Sequence, residues 1–371
     1  MLVDVTLYDL IKVDYLCYCA ATELDSNVDP HAVPLFISSN IELSIALKPG
    51  FYLIALAMMK HDKRLQRSFD LLYKESRELC VPLTIPRVSL AALTPIRFLR
   101  DYVAANRPVI LTDAMDQWPA LTLWKSNDYL KKRAGKAQVS VNTTPNGHGD
   151  CIVDDLFVKP HEVTSTFEDF LDILTDTKRS DSIPGVPYLS HQNDSLRREF
   201  PALLPDINQH ILPFAADVFH DQDALNLWIG DERAESSLHK DPYENLYAVV
   251  RGEKLFTLLP PSDLPFLIEQ KCYSARFNHD QADGWSIERE MDQPQVSWIS
   301  SSPLSDNFRP PRTENNLPSL KFSVHAGEVL YLPALWYHRV QQVGLTIAVN
   351  AWYDMNYDFR WIYYQFLQSL S

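Results

Sequence analysis

At 371 residues the chain is long enough for one large domain or two ordinary ones, and 46% hydrophobic residues with 17 Phe, 17 Tyr and 8 Trp supply a substantial core. That composition excludes a wholly disordered chain, and a formal net charge of -14 argues against a general nucleic-acid or anionic-membrane binder, both of which need a basic surface. Five scattered cysteines, Cys17, Cys19, Cys80, Cys151 and Cys272, fit a reducing compartment better than a disulfide scaffold, with the cytoplasm as the default address and the nucleus compatible.

Residues 1–65 mix short apolar runs without a clear period and carry no functional signal. The start, MLVDVTLYDLIKVDYL, lacks the basic n-region of a secretory leader. Cys17-x-Cys19 has no second pair nearby, so no structural zinc is expected there. The run FYLIALAMM, 51–59, is too short to cross a membrane and follows a break at Lys48-Pro49-Gly50; it reads as a short buried helix. A further helix is expected from about Arg64, with Leu65, Phe69, Leu72 and Leu79 near helical spacing, stopping before Pro82.

In TPIRFLRDYVAANRPVILTDAMDQWPAL, 94–121, Thr94 and Pro95 make an N-cap and first-turn pair for a short helix, and PVILTDA follows as a strand. TSTFEDFLDILTD, 164–176, is a second helix pattern opened by Ser/Thr caps. From about 186 short strand-like runs alternate with Pro, Asp and Gly: VPYLS, ALNLWIG, ENLYAVVRG, EKLFTLLPP, KFSVHAGEVLYLP and LTIAVNAWY. Many short strands indicate a sandwich or barrel, with RGEK and HAGEV as tight Gly-centred turns. The polar, Pro-rich stretch 274–319 reads as a long insertion between strands. YDFRWIYYQFLQSL is an aromatic helix that must pack on the barrel or on a second subunit. The expected division is 1–65 unassigned, 66–180 a helix and strand flank, 181–353 the β-domain, and 354–371 a C-terminal helix.

The chemistry concentrates in SSLHKDPYENLY, 236–247. On a strand His239 and Asp241 share a face, with Lys240 opposite. One imidazole and one carboxylate are two of the three ligands of a 2-His-1-carboxylate iron site. His338, opening a strand after the turn Pro333 to Trp336, is the candidate third ligand. His-x-Asp alone is weak: His148-Gly149-Asp150 repeats it, but beside the turn signal Asn146-Gly147 and with nothing downstream to pair with it, so no metal is expected there. His61-Asp62, His220-Asp221 and His279-Asp280 are adjacent pairs that a strand would point apart. Lys254 lies between apolar residues, and a buried lysine needs a partner: an anionic ligand, a structural carboxylate, or a path to solvent. Ser236 and Tyr188 could bind the same anion. Asn245, Tyr247 and Asn350 are polar residues in apolar strands, for which a cosubstrate or ordered water would be natural partners.

LHKDPYENLYAVVRGEKLFTLLPPSD, GEVLYLPALWYHRVQQ and IAVNAWYDMNYD together resemble the Jumonji-C hydroxylases, as do RELCVPLTIP, FLRDYVAANRPVILTDAMDQWPAL and GVPYLSHQND upstream. The resemblance covers roughly residues 75–371. It implies a mainly β fold with flanking helices, a double-stranded β-helix of cupin or jelly-roll type. It implies Fe(II) held by His239, Asp241 and His338, with 2-oxoglutarate and O2 as cosubstrates. The far carboxylate of 2-oxoglutarate would sit on Lys254, helped by Tyr188 and Ser236, the last standing where relatives commonly carry Thr. Asn245, Tyr247, Asn350 and Trp352 match positions around the site. The implied activity is protein lysyl hydroxylation of developmentally regulated GTP-binding proteins. Hydroxylation of another side chain or a tRNA base, endopeptidase action on histone tails, and a non-catalytic cupin-like binding module are the alternatives. The sequence has no H-E-x-x-H and no evident nucleophile triad to support a peptidase.

Overall fold

In a computed structural model, the chain is described at residues 49–175, 183–299, 310 and 317–370. Cys17 and Cys19 lie outside the described residues. Contacts divide the chain into two units, Met1–Leu65 and Gln66–Ser371. The two N-terminal helices expected from the sequence are one helix, Pro49–Leu79: Pro49 and Gly50, read as a break, sit in its first turn, where proline's missing N–H costs nothing. Among the described residues no helix is long and apolar enough to cross a membrane.

The second unit is organised by two long antiparallel strands, Tyr243–Leu259 and Tyr337–Asp354, paired from Tyr243 opposite Asp354 to Leu259 opposite Tyr337. Val329–Leu332 and Leu320–His325 flank the first of them; Gln222–Gly230 and Glu235–His239 flank the second. Arg87–Val88, Val109–Leu111 and His148–Gly149 complete a nine-stranded sheet that curls into the expected double-stranded β-helix. Its central strands read as continuous apolar runs because both faces are buried. Leu246, Ala248 and Val250 face an outer core with Phe98, Trp124 and Phe167. Tyr247 and Val249 alternate with them and face the barrel interior with Phe256, Leu258, Trp228 and Tyr188.

RGEK, expected as a turn, is instead a bulge within one 17-residue strand. Gly252 has φ +77°, and a Cβ there would lie 2.7 Å from the Leu345 carbonyl oxygen, so glycine lets the strand bend rather than reverse. HAGEV does contain a turn, but Leu320–His325 and Val329–Leu332 both run antiparallel to the same strand, so the chain kinks there without changing direction. The two glycine motifs are the two sides of one bend.

In the flank, the Thr94 side chain caps Pro95–Phe98 by accepting from the Arg97 N–H, as expected, and the expected strand is Val109–Leu111, which joins the main sheet. The second helix is shorter than its sequence pattern, Phe167–Leu174, capped by Thr166; Thr164 and Ser165 belong to the strand His161–Thr166. The stretch 274–319 is not a structureless insertion throughout. Glu269–Asp280 and Gly284–Arg289 form a hairpin that joins Val296–Ile299, Leu156–Lys159 and Cys151–Val153 in a five-stranded sheet. Its long strand buries Cys272, Ser274, Ala275 and Phe277, an irregular and weakly apolar set that hides the alternation. The C-terminal helix, Phe359–Ser369, buries Tyr364 and Leu367 against the domain and leaves Phe359, Ile362 and Phe366 exposed.

Candidate active site

One end of the β-helix opens into a cavity of about 350 Å³. His239 closes the strand Glu235–His239 and lies directly opposite His338 in the ladder. Asp241 is not on that strand, as the two-residue spacing suggested, but in the three-residue link Lys240–Pro242 before the next. Its carboxylate nonetheless meets both imidazoles: Oδ2 is 3.7 Å from His239 Nε2 and 3.6 Å from His338 Nε2. The three candidate ligand atoms lie within 4.8 Å of one another.

Both rings are held in one tautomer. His239 Nδ1 donates to the Ser237 carbonyl at 2.7 Å, and His338 Nδ1 to the Trp336 carbonyl at 3.0 Å. Each Nε2 lone pair is thereby left for a metal, with the outer nitrogen anchored as ligating histidines require. Burial, reinforced by repulsion from His239, pulls the His338 imidazole down to about 4, so it is a neutral donor at physiological pH. Two imidazoles with their Nε2 lone pairs free and one carboxylate, with open space on the cavity side, fit a divalent iron.

The turn between Leu332 and His338 is pinned from three sides. Leu335 adopts φ +69°, unusual for a branched residue, and its N–H donates to the Asp241 carbonyl at 2.9 Å. Asn106 donates to the Ala334 carbonyl and accepts from Trp336 Nε1 at 2.6 Å. Glu244, buried, accepts from the Ala334 N–H and from Tyr331. The first link joins the two ligand segments directly. Lys240 turns away from the metal-ligating atoms: Nζ pairs with Glu269 at 2.6 Å and lies over the rings of Tyr337 and Tyr364. It therefore ties the ligand loop to the C-terminal helix.

Deeper in the barrel, Lys254 is fully buried. Its Nζ donates to Tyr188 Oη at 3.2 Å and to Gln342 Oε1 at 2.5 Å, and no carboxylate among the described residues pairs with it. Burial pulls this ammonium down to about 7. The Tyr188 hydroxyl lies within hydrogen-bonding reach of Ser236 and Tyr247, and burial raises both phenols. Tyr188, Ser236 and Tyr247 line the cavity; Lys254 stands one hydrogen bond behind its wall.

Asn245, Asn350 and Trp352 also line the cavity. Asn350 accepts from Trp228 Nε1 at 2.7 Å and donates to Asn245 Oδ1 at 3.2 Å, so these amides find protein partners rather than depending on a cosubstrate or water. Among the described residues the buried indole N–H of Trp352 has no hydrogen-bond partner, and its ring stacks on Tyr243 at 4.8 Å.

Sequence reasoning missed two residues of the wall, Trp298 and Asp150, and Gln342, which bonds Lys254 behind it. Gln342 was unmarked in an alternating strand. Trp298 lies in the polar stretch after 274, and its ring stacks parallel to His239 at 6.1 Å and against Phe157 at 4.5 Å. Asp150 belongs to the second His-x-Asp copy, read as an isolated turn. In fact His148–Gly149 pairs in parallel with the ligand strand, His148 beside Glu235 and Gly149 beside Ser236, which brings Asp150 into the cavity wall. Its one sequence signal was the Asn-Gly turn that lets the loop approach: Gly147, at φ +86°, lies so close to Arg233 that a Cβ would sit 1.8 Å from that carbonyl oxygen.

A family described as "Cupin-like domain" matches residues 95–359. The chain is 41% identical over 297 residues, 80% of its length and 92% of the other's, to a Homo sapiens protein named bifunctional peptidase and (3S)-lysyl hydroxylase JMJD7. It is 36% identical over 320 residues to the Arabidopsis thaliana lysine-specific demethylase JMJ32, covering 82% of this chain and 91% of the other. It is 35% identical over 332 residues, 82% and 93% of the two chains, to JmjC domain-containing protein E of Dictyostelium discoideum.

Proposed function

Since the chain belongs to the cupin-like JmjC family, an oxygenase family, we propose that it is an Fe(II)- and 2-oxoglutarate-dependent protein hydroxylase acting on lysine side chains. The observation that supports this best is one cavity with two complementary ends: two imidazoles and a carboxylate at its mouth and, one hydrogen bond behind its floor, a buried ammonium without a counter-ion among the described residues. His239, Asp241 and His338 would hold the iron. When bound, the metal with 2-oxoglutarate and O2 supplies oxidation of an unactivated C–H bond, giving succinate, CO2 and the hydroxylated product.

The chain's own residues do the rest. Lys254 receives the far carboxylate of 2-oxoglutarate, with Tyr188 and Ser236 donating hydroxyls beside it. Asn245, Tyr247, Asn350 and Trp352 fix the wall against which the cosubstrate lies. Apolar rings around the cavity exclude water from the reacting centre.

The lysine specificity follows the name of the human relative, and developmentally regulated GTP-binding proteins are the proposed targets. The same reading includes a homodimer closed by the exposed face of the C-terminal helix, which light scattering of the purified protein tests. For the activity, succinate formation and product mass are measured with Fe(II), 2-oxoglutarate, O2 and a lysine peptide from such a GTPase. The expected product gains the mass of one oxygen atom with the wild type and none with Asp241→Ala. Metal binding without peptide hydroxylation would refute the substrate; failure to bind iron would refute the oxygenase reading.

A further inference from the structure

The cavity carries more charge than the iron site and the 2-oxoglutarate anchor use. Lys159 is paired with Glu290 at 2.7 Å, Glu235 with Arg339, and Lys240 with Glu269. Asp241 sits between the two imidazoles. Asp150 is different. It lines the same cavity, it is only partly exposed, and among the described residues its carboxylate has no hydrogen bond and no ion pair. His239, Lys159 and Arg276 act on it only from a distance, and burial, the largest influence, raises its carboxyl above the ordinary range. A half-buried carboxylate without a counter-ion is costly, and a cation entering the cavity would offset that cost.

Its position is fixed. The loop is wedged through Gly147 against Arg233, Glu235 donates its N–H to the Gly147 carbonyl at 2.9 Å, and Ser237 donates its hydroxyl to the Gly149 carbonyl at 2.8 Å. Asp150 itself is held at φ +51°, a left-handed conformation that Asp tolerates better than most residues. The same cavity wall includes an aromatic strip, with Phe157 packed on Trp298 and Trp298 parallel to His239. A strip of rings followed by a lone carboxylate matches a side chain with an aliphatic stem and a cationic end.

We propose that Asp150 receives the ε-ammonium of the substrate lysine, whose methylene stem lies along Phe157 and Trp298 while its reacting carbon faces His239, Asp241 and His338. The assignment rests on the lysyl hydroxylase reading and explains how this cavity would choose lysine over an apolar residue of the same length. It gives Asp150 a substrate role and no part in holding metal.

The test uses the full-length protein with Fe(II) and 2-oxoglutarate and two peptides. One carries the target lysine; the other carries norleucine, which keeps the stem and lacks the ammonium. The wild type is expected to prefer lysine by at least about tenfold in kcat/KM, the scale of one charged hydrogen bond. Asp150→Asn should bring the two peptides within about threefold of each other by losing that bond. Asp150→Glu should restore part of the preference. In both variants the 2-oxoglutarate Kd should stay at the wild-type value, and Asp150→Asn should melt no lower than the wild type. A wild type that hydroxylates lysine but treats norleucine equally overturns the proposal without any variant. So does an Asp150→Asn protein that keeps the full preference, and in both cases the hydroxylase reading stands. A wild type that turns over 2-oxoglutarate but hydroxylates no lysine peptide overturns both.

Discussion

The two ends of the cavity solve the problem of buried charge in opposite ways. At the mouth the donor groups are assembled before any ligand arrives: one carboxylate faces two imidazoles, and each imidazole is anchored through its second nitrogen to a carbonyl. At the floor Lys254 is fully buried with only a phenol and an amide oxygen for company. The mouth is built to hold a cation, and the floor is short of an anion. An uncompensated ammonium costs stability that a structural role would not require, so the deficit itself points to a ligand.

The largest effect should come from the mouth. Asp241→Ala removes a ligating group, and should cost more than the roughly 10–100-fold in metal affinity that follows loss of an outer partner. Iron titration of the purified variant checks it, and wild-type affinity would mean that the triad holds no metal.

Lys254→Met should separate the two ends. It is expected to leave metal affinity unchanged and to weaken 2-oxoglutarate binding about 10- to 150-fold, the range for a hydrogen bond to a charged group. Without ligand the variant should melt no lower than the wild type, because a buried unpaired charge is replaced by a side chain of similar length. A large loss of stability with no loss of cosubstrate affinity would make Lys254 structural.

The floor also predicts a pH dependence of known sign. Burial holds the free Lys254 at about 7, against about 10.4 in an unfolded chain. Between those values the unfolded chain binds the extra proton, so this group makes the ligand-free protein more stable as pH rises through the window. A carboxylate bound at Nζ favours the ammonium and raises its pKa. Binding 2-oxoglutarate should therefore take up as much as one proton above pH 7, and its affinity should fall as pH rises. Calorimetry in buffers of different ionisation enthalpy measures that proton, and no uptake would remove Lys254 from the carboxylate.

Lys240 marks a third kind of compensation. Set between the proposed ligands His239 and Asp241, it serves neither end and instead meets Glu269, Tyr337 and Tyr364. Lys240→Ala should lower stability by about 2 kcal/mol, because Glu269 loses its cation while keeping its bonds from Tyr337 and Gln368. Thermal melting reads that loss. A fall in metal affinity larger than the fall in stability would show that the brace also sets the ligand loop.

How far the sequence could reach follows the same division. Charged or polar residues inside apolar strands were visible, because their cost is local: His239, Lys254, Asn245 and Asn350 all stood out. What joins them was less visible. Asp241 was expected on a strand and lies on a link, yet its carboxylate reaches both rings, because Leu335 draws that link toward the second ligand segment. Gly252 was read as a turn because a lone glycine between apolar runs looks the same whether the chain reverses or bends. Asp150 and Trp298 lay in stretches whose polarity resembled loops. Asp150 is placed by a parallel pairing between distant segments and Trp298 by an antiparallel one, Gln270 opposite Trp298, and neither leaves a local period.

Trp298 therefore gives the finest test, since it joins a sheet that sequence polarity concealed to the mouth that sequence could find. Its ring lies parallel to His239 and packs on Phe157. An aromatic contact of this kind contributes about 0.5–1.5 kcal/mol beyond burial. If the ring guides the substrate stem, Trp298→Ala should raise the peptide KM by about two- to tenfold, with 2-oxoglutarate and metal affinities unchanged. If it only braces the five-stranded sheet, Tm should fall while KM holds. The two outcomes separate because 2-oxoglutarate is proposed to reach inward to Lys254, whereas Trp298 belongs to the strand beyond Glu269–Asp280, so the mouth can lose its wall while the floor keeps its anchor.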